Sequence, residues 1–157
     1  MRAALYDPEA GYFATGPLRS EKAGDFLTSP EVSPLFGETI ARFVEAEAGR
    51  IGADPVDLVE VGAGSGSLLR SLLDALGVSA LVRAVEVSAA ARERLAARVP
   101  EAVVVSSLEA VGGPLRGVIV ANEVADNLPA ALAVRRGKGW VERLVGLRGD
   151  ALTWVEG

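Results

Sequence analysis

Two short stretches hold most of the residues that could do chemistry. In "VEVGAGSGSLL" (59–69) a carboxylate, Glu60, precedes glycines at 62, 64 and 66. In "NEVADNLPA" (122–130) an amide, Asn122, is followed by the carboxylates Glu123 and Asp126. A further carboxylate, Glu86, lies near the end of the apolar run "LVRAVEV" (81–87). Glycine accepts φ > 0 and has no Cβ, so a glycine-rich turn lets the main chain approach a ligand closely. Carboxylates beside such a turn can accept hydrogen bonds from sugar hydroxyls or orient a cation. The remaining repertoire is narrow. With no cysteine and no histidine, disulfides, thiolate nucleophiles, Cys/His zinc sites and imidazole acid–base chemistry are excluded, and no metal is expected.

The elements that must position these residues follow a regular order. Residues 1 to 34 are rich in Gly and Pro and show no lasting apolar period, so they are expected to be irregular. Tyr6, Tyr12, Phe13 and Phe26 would anchor this segment as an ordered lid. Between Pro34 and Gly49 the residues Leu35, Phe36, Ile40, Phe43 and Val44 fall three to four apart, an amphipathic helix. "VDLVEV" (56–61) reads as a buried strand, and Leu68, Leu69, Leu72, Leu73 and Leu76 as a helix face ended by Gly77. The run 81–87 is the next strand. Ser88 is placed to cap a helix that Pro100 terminates, and residues 102–106 and 117–121 are two further apolar strands.

Continuous apolar strands joined by helices indicate an α/β fold, a doubly wound, mainly parallel sheet covered on both faces, with its ligand site at the carboxyl ends of the strands. The tail differs in kind. "GKG" (137–139) and "RGD" (148–150) separate three strand-like runs and predict an antiparallel meander. A single domain over 1–157 is expected: lid 1–34, Rossmann-like core 35–130, meander 131–157. No apolar stretch reaches the length of a membrane span, and the first residues lack the apolar core of a secretory signal, so a cytoplasmic protein is expected. The net charge of −5, with no basic cluster larger than Arg135-Arg136, argues against nucleic acid as a partner.

Two nucleotide classes use a turn of this kind. The dinucleotide fingerprint G-x-G-x-x-G/A fits imperfectly, because Ser67 stands at its third position and the extra glycine, Gly66, comes one residue early. The order Glu60-x-Gly62-x-Gly64-x-Gly66 resembles instead the first motif of class I S-adenosylmethionine-dependent methyltransferases. Glu86 at the end of the second strand could take the two ribose hydroxyls of either cofactor; it excludes a 2′-phosphate and does not choose between NAD and S-adenosylmethionine. The lack of histidine and of a Tyr-x-x-x-Lys pair counts against an oxidoreductase.

Further stretches make the resemblance specific. "ALYDPEAGYF" (4–13), "GDFLTSPEVSPLFGE" (24–38), "NEVADNLPA" and "GWVERLV" (139–145), with the glycine turn, resemble in order and spacing the MidA-like methyltransferases. That resemblance implies S-adenosyl-L-methionine as cofactor and, by analogy with eukaryotic members that dimethylate an arginine of a respiratory complex I subunit, a protein arginine as acceptor. Carried over by position, Gly62, Gly64 and Gly66 form the cofactor turn, Glu60 binds the cofactor with them, and Glu86 holds the ribose. Asp25, Thr28 and Ser29 would close over the methionyl end. Asn122 would lie beside the methyl group, with Glu123 and Asp126 as the catalytic carboxylates that orient the guanidinium. Turn and capping chemistry remains the alternative for Asn122, Asp126 and Asn127.

The sequence also departs from the family. Val124-Ala125 stands where a pair of aromatics is common, which leaves the acceptor's identity open. Members also run well beyond this length, so the chain is expected to be truncated: a fragment, a domain completed by self-association through an open sheet edge, or a cofactor-binding module without catalysis.

Overall fold

In the computed structural model, residues 1–13 and 29–157 are described. They divide into two compact units, Arg2–Asn127 and Leu128–Gly157 together with Met1.

The larger unit begins with two short helices, α1 (Arg2–Tyr6) and α2 (Ser29–Val32), where irregular chain is expected. Neither is long enough to show a helical period. The main elements follow: α3 (Leu35–Ile51), β1 (Val56–Val61), α4 (Ser67–Ala75), β2 (Ala80–Val85), α5 (Ala89–Arg98), β3 (Val103–Val105) and β4 (Gly117–Ala121). The strands form one parallel sheet in the order β3-β2-β1-β4, the α/β arrangement expected from their continuous apolar character. Local signals set the boundaries. α3 stops at Gly52, which takes a left-handed conformation and donates its N–H to the carbonyls of Ala48 and Gly49. α5 starts at Ser88, whose hydroxyl accepts from Ala91 N–H.

Register explains where the core lies. Val56, Leu58 and Glu60 of β1 stand opposite Ala80, Val82 and Ala84 of β2, and successive residues point to opposite faces. The apolar members of that face bury against Ala41, Val44 and Ala48 of α3, Leu69 and Leu72 of α4, and Leu95 and Val99 of α5. α3 and α4 come so close that a Cβ on Gly37 would meet Ser71 Oγ.

The other face is different. Its central row runs Ile119, Val59, Arg83, Val103 across the four strands, and Leu81, Val103 and Ile119 are each at least half exposed. Helical cover on both faces is therefore not found among the described residues. The reason lies in the connections: residues 106–116 between β3 and β4 hold only a one-turn 3-10 helix (Glu109–Val111), and β4 leads into another (Ala125–Asn127). An ion pair between Arg83 and Asp57 at 2.6 Å lies on this face, where Val59 and Val85 are nonetheless buried.

The smaller unit is the expected meander, β5 (Leu132–Arg136), β6 (Gly139–Arg148) and β7 (Ala151–Glu156), antiparallel in the order β5-β6-β7. Its two-residue turns are opened by Gly137 and Gly149 at φ near 60°, the conformation that tight hairpins require. Arg136 pairs with Glu156 at 2.7 Å, and Arg143 lies over the Trp154 ring. Trp140, Leu147 and Leu152 are exposed. No helix among the described residues is long and apolar enough to cross a membrane.

Candidate functional site

Three loops leave the carboxyl ends of adjacent strands: Gly62–Gly66 after β1, 86–88 after β2, and 122–127 after β4. In the first, Gly62, Gly64 and Gly66 all have positive φ (69°, 52° and 78°). Alternate left-handed residues without side chains make a backbone concavity of the kind that accepts polar ligands. The three glycines serve different neighbours. A Cβ on Gly62 would lie 2.7 Å from Val124 Cγ2, and one on Gly66 would lie 2.6 Å from Leu95 Cδ1 of α5. Gly66 is thus a helix-packing residue, while Gly62 lets the loop after β4 rest on the turn.

Glu86 joins the first two loops. One carboxylate oxygen accepts from Gly64 N–H and the other from Ser88 N–H, each at 2.8 Å. Each oxygen retains a further lone-pair site that a sugar hydroxyl could use. Tyr6 lies close enough to feel this charge: burial raises its hydroxyl pKa first, and the Glu86 carboxylate adds to the rise.

Glu60, expected from the sequence to bind the cofactor, instead lies in the core. Strand alternation turns it toward α4 on the core face, where it is 4% exposed. The Leu69 N–H of the first turn of α4 reaches its carboxyl group, and Oε2 has no partner. Burial, with the neighbouring Glu86 charge, pushes its pKa up to about 8. Burial under α4 thus favours the neutral acid at Glu60.

The third loop carries Asn122, Glu123 and Asp126. Glu123 has φ 52°, and it is the one non-glycine residue with positive φ among the described residues. For a residue with a Cβ that conformation costs about 1–2 kcal/mol and persists only where neighbours enforce it. The enforcing contacts are present. Asn127 Nδ2 donates to the Glu123 carbonyl at 2.8 Å, Asn127 N–H donates to the Val124 carbonyl at 3.0 Å, and the Tyr6 hydroxyl donates to the Asn127 carbonyl at 2.8 Å. Tyr6 in turn stacks on Phe13, whose N–H donates to the Leu5 carbonyl. Glu123 and Asp126 are both exposed.

Sequence reasoning brings together Gly62, Gly64, Glu86, Asn122, Glu123 and Asp126 on loops that share one edge of the sheet. Asn127, read from the sequence as turn chemistry, does tie this loop through its bonds to the Glu123 and Val124 carbonyls; Tyr6, read as a lid anchor, reaches it by a contact that the sequence did not indicate. Asp25 and Thr28 lie outside the described residues. Ser29 opens α2, and its side chain likewise lies outside them. A groove of about 900 Å³ runs elsewhere, lined by Arg42, Ser67, Arg70, Ser71 and Arg98 among others, and includes neither Glu86 nor Glu123. Its Arg70 is already paired with Asp74 and Glu101. No cluster of potential metal ligands occurs among the described residues.

A parallel 3-2-1-4 sheet with a glycine turn after its first strand and an acidic residue after its second defines a nucleotide-binding α/β domain. The chain belongs to the family described as putative S-adenosyl-L-methionine-dependent methyltransferases, whose sequence profile matches residues 37–157. It is similar to the mitochondrial protein arginine methyltransferase NDUFAF7 homolog of Drosophila melanogaster, 40% identical over 77 residues that make up 48% of this chain and 17% of that protein. The human protein arginine methyltransferase NDUFAF7, also named mitochondrial, is 38% identical over 74 residues, 46% of this chain and 17% of its own length. The crystal structure of an uncharacterized protein from Burkholderia thailandensis superposes with a TM-score of 0.79 at 32% identity, covering 99% of this chain and 41% of that one. The match thus covers less than half of each of these proteins.

The expectation of a cytoplasmic protein is corrected by these relatives, since both curated ones are named mitochondrial. It rested on the absence of an apolar secretory segment, a feature that speaks only to export.

The residues fit the family's cofactor. The turn offers backbone free of side chains at three alternate positions, and Glu86 stands at the strand end with acceptor capacity left on both oxygens.

Proposed function

We propose that this chain holds S-adenosylmethionine at the Gly62–Gly66 turn and directs methyl transfer to an arginine guanidinium of a protein. The observation that carries the reading is the Glu86 bridge, which fixes the glycine turn and the loop after β2 as one rim beside the loop of Asn122, Glu123 and Asp126. The arginine acceptor is supported by the names of the curated relatives.

In this reading Gly62 and Gly64 shape the surface for the methionyl and ribose parts, and Glu86 accepts the ribose hydroxyls. When bound, the cofactor supplies a methyl group already activated on a sulfonium. The protein's task is then to hold donor and acceptor in line, which alone can supply much of the rate. Glu123 and Asp126, exposed and acceptor-only when ionised, orient the guanidinium through charge-assisted hydrogen bonds and take up the proton that the methylated nitrogen releases. Asn122 lies between β4 and these carboxylates and contributes a neutral amide beside the reacting groups.

Calorimetry with S-adenosylmethionine tests the first half. Wild-type protein should bind with one site, Gly64→Val and Glu86→Ala should lose binding, and equal affinity in all three would end the reading. Radiolabelled cofactor with a mitochondrial lysate, followed by mass spectrometry of the labelled band, tests the second half. Label on a residue other than arginine would replace the acceptor.

A further inference from the structure

We infer that Asn127 and Tyr6 are positioning residues: together they hold Glu123 in its left-handed conformation and so set where the acceptor-side carboxylate stands. The inference rests on the reading of Glu123 as the group that meets the acceptor, and it gives Asn127 and Tyr6 a role at that residue which neither the sequence reading nor the family description assigns.

The argument runs through main-chain carbonyls. A left-handed residue bearing a Cβ returns to the extended or helical region unless its flanking carbonyls are tied. At Glu123 the tie is the Asn127 carboxamide, which donates to the Glu123 carbonyl at 2.8 Å and to Asp126 Oδ1 at 3.3 Å. The Asn127 N–H closes the same loop on the Val124 carbonyl. Asn127 itself is fixed from outside the loop, because its carbonyl accepts from the Tyr6 hydroxyl, 121 residues away in sequence. Tyr6 is half-buried and stacked on Phe13 with ring centroids 5.8 Å apart.

Every one of these bonds except that to Asp126 ends on backbone, so the network constrains the chain and leaves the Glu123 carboxylate unengaged. The reversal at Glu123 also turns the next residue, Val124, onto Gly62, at a distance only a glycine permits. One backbone conformation therefore places a charge and seats the loop on the proposed cofactor turn. An amide is required at 127. A carboxylate there would oppose two acceptors, the Glu123 carbonyl and Asp126.

Asn127→Asp and Tyr6→Phe test this in the intact chain. In both variants the Cα and Cβ chemical shifts of Glu123 should move away from left-handed values, and amide exchange at Asn127 should quicken at least tenfold. In the Glu123→Gly background, where the left-handed conformation is unstrained, the same substitutions should leave the loop's exchange within about twofold. Methyl incorporation should fall at least tenfold in kcat with KM for S-adenosylmethionine unchanged. Lowering the pH below the pKa of the new carboxyl should partly restore Asn127→Asp relative to wild type, because a protonated acid again donates. Unchanged Glu123 shifts, equal exchange effects with and without the Glu123 side chain, or a loss confined to cofactor affinity would each overturn the inference. Should the wild type transfer no methyl group at all, the proposed function falls, and the spectroscopic arm alone decides the positioning role.

Discussion

The loops after β1 and β4 both rely on left-handed backbone, and they reach it by opposite routes. Gly62, Gly64 and Gly66 adopt it without steric cost and present bare main chain. Glu123 adopts it against its own Cβ and is held there by Asn127 and Tyr6. A turn meant only for close approach is filled with glycines. Where the same geometry is kept for a residue with a side chain, neighbouring bonds must enforce it. The associated acids differ in the same sense, since Glu60 is buried beneath the first loop and Glu123 stands exposed in the other.

The largest effect should come from Glu60. Its folded-state pKa is raised from 4.5 to about 8, so the stability associated with the neutral acid is complete below about pH 4.5 and is lost as pH rises through 8. At about 1.4 kcal/mol per unit, the loss approaches 5 kcal/mol at most. Urea unfolding between pH 5 and 9 should show this decline in the wild type and a much flatter profile in Glu60→Gln. A comparable slope in the variant would remove Glu60 as the cause.

Next in size is Gly66→Val. It combines a left-handed conformation unsuited to a β-branched residue with a Cβ pressed on Leu95 of α5. Thermal unfolding should register a loss of about 3 kcal/mol. Gly64→Val, whose N–H faces Glu86, should instead act mainly on cofactor binding, which separates packing from recognition within one turn.

The smallest and sharpest case is Glu123→Gly. Relief of strain, partly offset by the greater freedom of glycine in the unfolded chain, should raise stability by about 0.5 kcal/mol. Methyl transfer should disappear at the same time. A variant that is less stable yet still active would break the contrast between the two loops.

Local chemistry made much of this legible in the sequence. The apolar runs gave β1, β2 and β4 nearly to the residue, Ser88 announced α5, and the paired glycine turns predicted the meander, because each signal acts over a few neighbouring positions. Strand alternation would also have placed Glu60 with Val56 and Leu58 on the core face, although its glycine-turn context drew it to the rim. What was not legible depends on contacts far apart in the chain. Tyr6 meets Asn127 across 121 positions, and Val124 meets Gly62 only because β4 lies beside β1. The five residues of α1 are too few to carry a periodic pattern, and the exposure of Leu81, Val103 and Ile119 on one sheet face is not written in the apolar strands themselves.

The carboxylate brace from Glu86 to Gly64 and Ser88 has a thermodynamic consequence. Because two loop amides are already saturated by the protein's own anion, the rim keeps its shape before any nucleoside arrives. The conformational entropy of ordering those loops is spent during folding, and docking begins from a mould that is already cast.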